Sequence, residues 1–467
     1  MSLLQSGIIG ILAFIFILGA AVTLHEFGHF IVAKLFKIRV ETFSFGFGPR
    51  LVGRKWGTTD YRISAIPLGG YVKLGGDESN APIEGDGASD IPANERFDLR
   101  PRWQRILVAV AGPVMNILTA LTIPFAAGFI YGVPVRPAPI VSYVAAGGAA
   151  EHAGLKSGDR IISFNGTSNP TWDAIEEDGA LSPGQDVPLV VDRGGREVAL
   201  TLRPTPYTEF GETGGLLEFT PDNGGYPVVI RGVTAGSPAA NGGLEPGDRV
   251  LAAGDDIVKS AAQVKGYIRD HKSQSLYLTV VRNNETHKLT VGTERLSGGV
   301  IGILIADDFP VYRARPIASA GFAVDSNIRI MRLTSKALGQ IFAGKRSVRN
   351  AVSGPIGIYR YASASANEGG WAGVVSTLGV LSLNLGVFNL LPIPVLDGGA
   401  IFILLIEGAL ALIGLSLSRA VRERIQQVGF VVVIVLMVFV ITNDILKFTI
   451  SRGGGSNAPA ASPAPTK

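Results

Sequence analysis

Residues 7–29, GIIGILAFIFILGAAVTLHEFGH, join an uncharged apolar run directly to the pattern His-Glu-x-x-His. The first 18 of these residues carry no charge, which is just long enough to begin a membrane-spanning helix. In a helix, His25 and His29 lie one turn apart on one face, where they can hold Zn²⁺ while Glu26 acts as a base on water. Ionisable side chains in a span cost about 2.5–3.5 kcal/mol each and usually have a function. The stretch therefore predicts a hydrolytic metal site in the membrane; the alternative is a helix end whose polar residues only face the interface.

Composition indicates a membrane protein that also carries a substantial soluble part. Of 467 residues, 47% are hydrophobic and 17% charged, which is too apolar for an ordinary soluble protein, whereas 60 glycines are too many for a bare helix bundle. The net charge of +4 is modest and no block of Lys and Arg occurs, so we expect no nucleic acid partner. Cysteine is absent, so a metal must be held by histidine and carboxylate groups. The N-terminus lacks the features of a cleaved secretory signal, and we expect the first span to be retained.

Four apolar regions predict about four transmembrane segments, at residues 1–36, 106–133, 373–415 and 428–448. The third is long and is broken between Asn389 and Gly399 by two prolines and two glycines. Such a break is tolerated at membrane depth where the freed backbone faces protein or a wet cavity, so it indicates a site; an ordinary kinked helix is the alternative. Basic clusters beside the spans place residues 37–105 in the cytoplasm, and the region after the second span on the opposite side. We expect a linker with amphipathic helices at residues 310–371 and a disordered tail at residues 453–467.

An internal repeat lies between the second and third apolar regions. Residues 144–162 align without gaps to residues 233–251, 89 residues later, and nine of the 19 positions are identical. Each copy has the pattern of a strand, a small-residue loop, a short helix ending at Gly, and a Gly-Asp-Arg turn into a strand. The spacing predicts two small α+β domains, at residues 134–208 and 220–296. The pattern resembles PDZ domains, which implies binding of an extended peptide at a sheet edge; a sheet domain without a ligand is the alternative. We expect His152, His271 and His287, all in this region, to be surface residues.

The two histidines of the first span do not complete a catalytic zinc site, which normally has three protein ligands and a water. Asp397 and Glu407 are the carboxylates available in the apolar regions beyond the first span. Asp397 lies at the interruption, where a helix can open to present it, whereas Glu407 lies in a continuous apolar run. We therefore favour Asp397 as the third ligand.

Three motifs occur in order along the apolar regions: His25-Glu26-x-x-His29, Gly112-Pro113-x-x-Asn116, and Asn389-x-x-Pro392-x-Pro394-x-x-Asp397-Gly398. Together they resemble the site-2 protease family of intramembrane zinc metalloproteases, and the inserted repeat resembles its regulator-of-sigma-E protease branch. The resemblance implies that His25, His29 and Asp397 hold Zn²⁺ and that Glu26 is the general base. It also implies that Asn389 helps to hold the substrate backbone.

Residues 61–74, YRISAIPLGGYVKL, form two short β-prone runs around a Pro-Leu-Gly-Gly turn. A transmembrane substrate must unwind before its carbonyl groups can reach a metal, and an edge strand can supply replacement hydrogen bonds. The family resemblance implies a membrane re-entrant β-hairpin here, beside the site, and we expect Gly69 and Gly70 to contact the substrate. A soluble hairpin is the alternative.

The fold expected from these patterns is an α-helical membrane protein with about four transmembrane segments, a re-entrant β-hairpin and two inserted PDZ domains. By resemblance it is a multi-pass zinc endopeptidase of the bacterial inner membrane, with periplasmic PDZ domains and an active site toward the cytoplasm. The expected substrate is the transmembrane segment of a single-pass protein, an anti-sigma factor already shortened on its outer side during an envelope stress response. Signal peptide remnants are a second substrate class, and membrane lipid surrounds the spans. The alternatives are a non-catalytic, membrane-anchored PDZ adapter and a metal transporter.

Overall fold

The computed structural model describes residues 3–76, 91–209, 212–222, 224–234, 236–271, 274–292, 301–312, 315–344, 347–348, 354–415 and 417–453. The chain divides into two compact units, one formed by Met1–Ile130 with Ala314–Lys467 and the other by Tyr131–Arg313. The predicted disordered tail lies, apart from Gly453, outside the described residues.

The first unit contains six α-helices in its described part. With helices numbered along the whole chain, they are α1 (Leu3–Leu35), α2 (Arg102–Tyr131), α7 (Pro316–Phe342), α8 (Pro355–Asn389), α9 (Asp397–Leu412) and α10 (Arg419–Gly453). Segments of four helices are long and apolar enough to cross a membrane: Gly7–Leu35, Arg102–Tyr131, Gly369–Asn389 and Arg424–Lys447. The prediction of about four transmembrane segments is confirmed.

The third apolar region is interrupted where the sequence predicts it. Helix α8 ends at Asn389, residues 390–396 are not helical, and α9 begins at Asp397. Proline has no N–H for the helical ladder, so Pro392 and Pro394 prevent α8 from continuing. Gly398 then lets the chain fold back closely, because a Cβ there would lie 2.3 Å from the carbonyl oxygen of Leu391. The interruption thus fixes Asp397 in the first turn of α9.

The linker with amphipathic helices at residues 310–371 stays a prediction; within it, residues 355–369 form the first part of α8 and pack against other helical segments of the unit. Helix α8 bends at Gly370, whose φ of 55° is not helical, and the hydroxyl of Thr377 donates to that of Ser365 across the bend at 2.7 Å. Ala362 is fully buried against apolar residues of α1 and of the second half of α8, namely Ala13, Ile17, Ala21, Val374 and Leu378. Small side chains permit this close packing, and their lack of a strong apolar pattern hid it from the sequence analysis.

The start of α8 is held by a buried carboxylate from α10. Asp444 accepts hydrogen bonds from the backbone N–H groups of Gly354, Ile356 and Gly357, at 2.9, 2.9 and 3.2 Å. The first N–H groups of a helix have no partner within it, so Asp444 satisfies them and its charge complements the helix dipole.

A β-sheet follows α1, but its connections differ from the predicted hairpin at residues 61–74. Strands β1 (Val40–Trp56) and β2 (Thr59–Leu74) are joined at Gly57 and Thr58, with Trp56 opposite Thr59. Thr42 lies opposite both Asp60 and Lys73, so the two runs of residues 61–74 flank the first half of β1 instead of pairing with each other. The turn-like residues Pro67 to Gly70 suggest a hairpin, but the partner strand β1 lies outside the apolar stretch of residues 61–74.

The second unit begins with a small sheet and the first copy of the repeat. Strand β3 (Val133–Pro134) pairs with β18 (Val311–Tyr312), near the two ends of the unit. The first copy contains β4 (Val141–Val144), α3 (Ala149–His152), β5 (Arg160–Phe164), β6 (Thr167–Ser168), α4 (Trp172–Ala180), β7 (Val187–Asp192), β8 (Glu197–Leu202), β9 (Thr205–Glu209), β10 (Glu212–Leu216) and β11 (Phe219–Pro221). Its main sheet has the order β6-β5-β7-β8, while β4 pairs with β11 and β9 with β10. Phe164 and Ile175 are fully buried in its core.

The second copy repeats the strand–helix order. It contains β12 (Val228–Val233), α5 (Pro238–Asn241), β13 (Arg249–Ala253), β14 (Asp256–Ile257), α6 (Ala261–Asp270), β15 (Leu276–Arg282), β16 (Glu285–Val291) and β17 (Ile303–Asp307). The sheet order is β16-β15-β13-β12-β17, and β14 pairs with β13. The copies are α+β domains as expected, and their identification as PDZ domains stays a prediction.

An aspartate–arginine pair recurs at the same place in both copies. Arg193 donates to Asp159 at 2.7 Å and to the carbonyl of Gly154 at 2.8 Å. Arg282 binds Asp248 and the carbonyl of Gly243 in the same way, at 2.7 and 2.7 Å. Burial acts to raise the pKa of each aspartate, but the arginine and a backbone N–H lower it overall. The pair therefore fastens the Gly-Asp-Arg turn to a neighbouring strand in each copy.

Candidate metal centre

Two buried imidazoles lie together in α1, in its half nearer to β1. His25 and His29 are 6% and 8% exposed, and their Nε2 atoms are 3.2 Å apart. Their four-residue spacing places both rings on one face of the helix. The other nitrogen of His29, Nδ1, lies 2.7 Å from the carbonyl oxygen of Val108. A carbonyl only accepts, so Nδ1 carries a proton, and in the neutral imidazole Nε2 is then the nitrogen with a lone pair for a metal.

Asp397 completes a three-residue cluster. Its Oδ2 lies 3.0 Å from Nε2 of His25, and its Oδ1 lies 3.5 Å from Nε2 of His29. One ligand atom from each of these residues lies within 4.8 Å of the others. Zinc binds such nitrogen and oxygen atoms at about 2.0–2.2 Å in a tetrahedron, which implies ligand separations of roughly 3.3 Å. The two imidazoles and the carboxylate therefore fit a zinc ion in both chemistry and spacing.

Glu407, the other carboxylate considered from the sequence, does not join this cluster. It is 7% exposed and forms an ion pair with Arg422 of α10. The positive guanidinium compensates the buried charge. The geometry thus favours Asp397 over Glu407.

Glu26 lies beside the cluster and faces the sheet. Its Oε2 accepts a hydrogen bond from the backbone N–H of Val72 at 3.1 Å. Because Glu26 directly follows His25, its carboxylate is close to the imidazoles without replacing either of them. It occupies a position from which a base can take a proton from water held at the cluster.

Gly69 and Gly70 lie where β2 passes close to α1. Thr23 donates its hydroxyl proton to the carbonyl of Gly69 at 3.3 Å. A Cβ on Gly70 would lie 2.5 Å from the carbonyl oxygen of Ser44 and 3.3 Å from Oγ1 of Thr23. Only glycine fits this gap between β1 and α1, so the strand can run past the turn of α1 that precedes Glu26.

Asn389 also reaches the cluster. Asn389 is the last residue of α8, and its Nδ2 lies 3.4 Å from Nε2 of His25. The structure therefore brings together six predicted features, which are His25, Glu26, His29, Asn389, Asp397 and the glycine pair on β2. The role of Asn389 in holding the substrate backbone stays a prediction.

Helix α2 supplies neighbours to which the sequence analysis gave no role. One face of α2 points toward the cluster. It carries, at four-residue spacing, the carbonyl of Val108, the Cα of Gly112 and the side chain of Asn116. A Cβ on Gly112 would lie 2.3 Å from Nε2 of His29 and 2.8 Å from Cε1 of His25. The Nδ2 of Asn116 lies 3.3 Å from Nδ1 of His25. The four-residue spacing of Gly112 and Asn116 in the motif Gly112-Pro113-x-x-Asn116 could have indicated that both lie on one face of the helix.

The sequence matches the profile of Peptidase family M50 over residues 13–436. The chain is 32% identical over 455 residues to the Regulator of sigma-E protease RseP of Escherichia coli, which covers 92% of this chain and 97% of the relative. It is also 32% identical to Protease RseP of Yersinia pestis over 467 residues, with coverages of 92% and 97%. A Neisseria meningitidis protein, named as a putative zinc metalloprotease, is 31% identical over 462 residues, with coverages of 94% and 99%. The chain therefore belongs to peptidase family M50 and is a zinc-dependent intramembrane metalloprotease of the site-2 type.

Proposed function

We propose that His25, His29 and Asp397 hold the zinc ion and that Glu26 is the general base for cleavage of a peptide bond within a transmembrane segment. The observation that carries this proposal is the convergence of two buried imidazoles and one carboxylate within 4.8 Å on a helix that can span a membrane. A zinc ion bound there supplies a Lewis acid that polarises the scissile carbonyl and acidifies water. Glu26 would take a proton from the attacking water, whose oxygen bonds to the carbonyl carbon, and would deliver it to the amine that leaves as the C–N bond breaks.

The sheet beside Glu26 gives an unwound substrate a partner for its backbone. A transmembrane helix hides its carbonyl groups in internal hydrogen bonds, which must open before hydrolysis. The run from Gly69 to Val72 lies next to α1, where the Gly69 carbonyl accepts from Thr23 and the Val72 N–H donates to Glu26. An extended substrate that replaces these side chains as the partner of the run keeps its backbone hydrogen-bonded, and we propose that Asn389 binds one further carbonyl.

Substitution of the base tests the chemistry. Glu26→Gln removes the proton acceptor but leaves the three metal ligands, so zinc content should equal that of the wild-type protein while cleavage of a model transmembrane substrate is lost. Gln retains the side-chain oxygen that can accept from Val72, which makes it a close structural match. Cleavage near the wild-type rate with zinc still bound would show that Glu26 is not the base.

The proposed substrate is an anti-sigma factor with a single transmembrane segment, already shortened on its outer side. Support comes from the relatives whose names describe a regulator of sigma-E protease. The proposed orientation puts the second unit in the periplasm and the metal site toward the cytoplasm, as the flanking basic residues favour. The outer domain of a substrate is then on the same side of the membrane as the second unit, and we propose that this unit excludes untrimmed substrates.

Removal of the second unit separates exclusion from delivery. Strands β3 and β18 pair with each other, and Pro134 lies opposite Val311. A short Gly-Ser linker between these two residues can therefore replace residues 135–310. Under exclusion, the shortened protein retains zinc and cleaves untrimmed substrate better than the full chain does. An equal loss of cleavage of trimmed and untrimmed substrates, with zinc retained, would favour delivery instead.

A further inference from the structure

Asn116 is a fully buried polar residue in α2, and its side chain points at the cluster of His25, His29 and Asp397. It is 0% exposed, and its Nδ2 lies 3.3 Å from Nδ1 of His25. Its Oδ1 is buried and has no hydrogen-bond partner among the described residues. A buried amide oxygen without a partner costs about 1–3 kcal/mol, so its presence at this position needs a reason.

The metal-binding state of His25 supplies that reason. Nε2 of His25 faces Asp397 and His29, at 3.0 and 3.2 Å, so it is the nitrogen directed at the metal. When Nε2 binds a metal, the neutral imidazole carries its proton on Nδ1 and donates it. An amide N–H₂ cannot accept that proton, but rotation of the Asn116 amide by half a turn replaces Nδ2 with Oδ1. One rotation then gives Nδ1 an acceptor and Oδ1 a donor, while Nδ2 takes the buried position that Oδ1 leaves.

His29 shows the same arrangement made with the backbone. Its Nδ1 donates to the carbonyl of Val108 at 2.7 Å, on the same face of α2 and two helical turns before Asn116. Both imidazoles are thus oriented from one helix, His29 by a fixed carbonyl and His25 by a side chain that can turn. Histidine ligands generally need such a partner to fix the ring and its tautomer.

We propose that Asn116 is a positioning residue that accepts the Nδ1 proton of His25 through its side-chain oxygen and so directs Nε2 toward the zinc ion. The inference rests on the proposed ligand set. Asn116 touches neither the metal nor the substrate. Its effect is on zinc affinity and on the geometry of the bound ion.

Three variants of the full-length protein in detergent test this role. Asn116→Leu removes the acceptor at similar size, Asn116→Asp keeps one, and Asn327→Leu is a matched control. Asn327 is a buried asparagine of the same unit that donates to the carbonyls of Ala120 and Ala323, and neither of these groups is in the cluster. Zinc affinity is measured by chelator competition, and Co²⁺ substitution reports the ligand geometry by its visible absorption.

We expect Asn116→Leu to weaken zinc binding by about 10–100-fold and to change the Co²⁺ spectrum. Asn116→Asp should bind zinc at least as tightly as the wild-type protein, and Asn327→Leu should bind it equally well. If Asn116→Leu does not fold, Asn116→Ala removes the same amide without added bulk. Zinc affinity within about threefold of wild type in the Leu or Ala variant, or an equal loss in the Asp variant or in Asn327→Leu, would overturn the inference. A wild-type protein that binds no zinc, or a His25→Ala variant that binds it normally, would instead overturn the proposed ligands.

Discussion

Substitution of Gly112 by alanine tests how closely α2 packs on His25 and His29, the proposed metal ligands. An added Cβ would lie 2.3 Å from Nε2 and 2.6 Å from Cε1 of His29, and 2.8 Å from Cε1 of His25. Ordinary Cβ contacts begin near 3.4 Å. The methyl group therefore fits only if the His29 ring or the backbone of α2 moves by about 1 Å, since interiors are close-packed.

A shift of this size is large for a metal site. Ligand distances in such sites vary by only about 0.2 Å, and a displacement of about 1 Å in a catalytic arrangement can cost on the order of 100-fold. We therefore expect Gly112→Ala to weaken zinc binding by at least about 100-fold, which corresponds to roughly 2.8 kcal/mol. A loss would be informative, because replacement of glycine by alanine within a helix otherwise stabilises the protein by about 0.5–1 kcal/mol.

The assay is zinc affinity by chelator competition, with Gly408→Ala as the matched control. Gly408 lies in α9, the helix that carries Asp397, and a Cβ there would meet nothing within 4 Å. The control should keep zinc affinity and equal or exceed the wild-type thermal stability. Unchanged zinc affinity in Gly112→Ala would refute the close packing of α2 against the two imidazoles.

Two further predictions concern the third ligand and the repeated ion pair. Asp397→Ala should lower both zinc occupancy and cleavage, whereas Glu407→Ala should keep zinc and only destabilise the contact with Arg422; metal analysis of both variants decides, and the reverse result would assign the ligand to Glu407. Arg193→Met should destabilise the first copy by about 1.5 kcal/mol in denaturant unfolding at neutral pH, because it removes a charged hydrogen-bond donor from buried Asp159, while Arg203→Met, at an exposed pair, should change little. The pKa of Asp159 is lower in the folded than in the unfolded state, so the ion pair stabilises the folded protein above the unfolded value of about 3.9, and this stabilisation is lost as the pH falls through the folded pKa. The loss of unfolding free energy in Arg193→Met should therefore shrink in acid. A loss that persists in acid would exclude the ion pair as its cause.

Much of the candidate metal centre could be predicted from the sequence because its residues are of types that are rare in apolar helices. His25 and His29 are ionisable groups in a long apolar run, and Asp397 follows two prolines where a helix must stop. Such conflicts between local pattern and environment are expected at functional sites. The choice between Asp397 and Glu407 also followed from the position of the break.

The parts that escaped prediction depend on contacts between distant segments. The pairing of β1 with both runs of β2 could not be read from residues 61–74 alone, because register is set by the partner strand. The packing of residues 355–369 rests on small residues such as Ala362, whose burial leaves no strong apolar periodicity. Asn116 was visible in a motif, but its orientation toward His25 depends on how α1 and α2 pack.

The order of the metal ligands along the chain has a consequence for biosynthesis. His25 and His29 leave the ribosome early, whereas Asp397 is made only after both copies of the repeat and α8. With the proposed ligand set, a nascent chain has two imidazoles but no third ligand until α9 has been synthesised. The three side chains come together only when α9 lies beside α1, so formation of the proposed metal site depends on assembly of these helices.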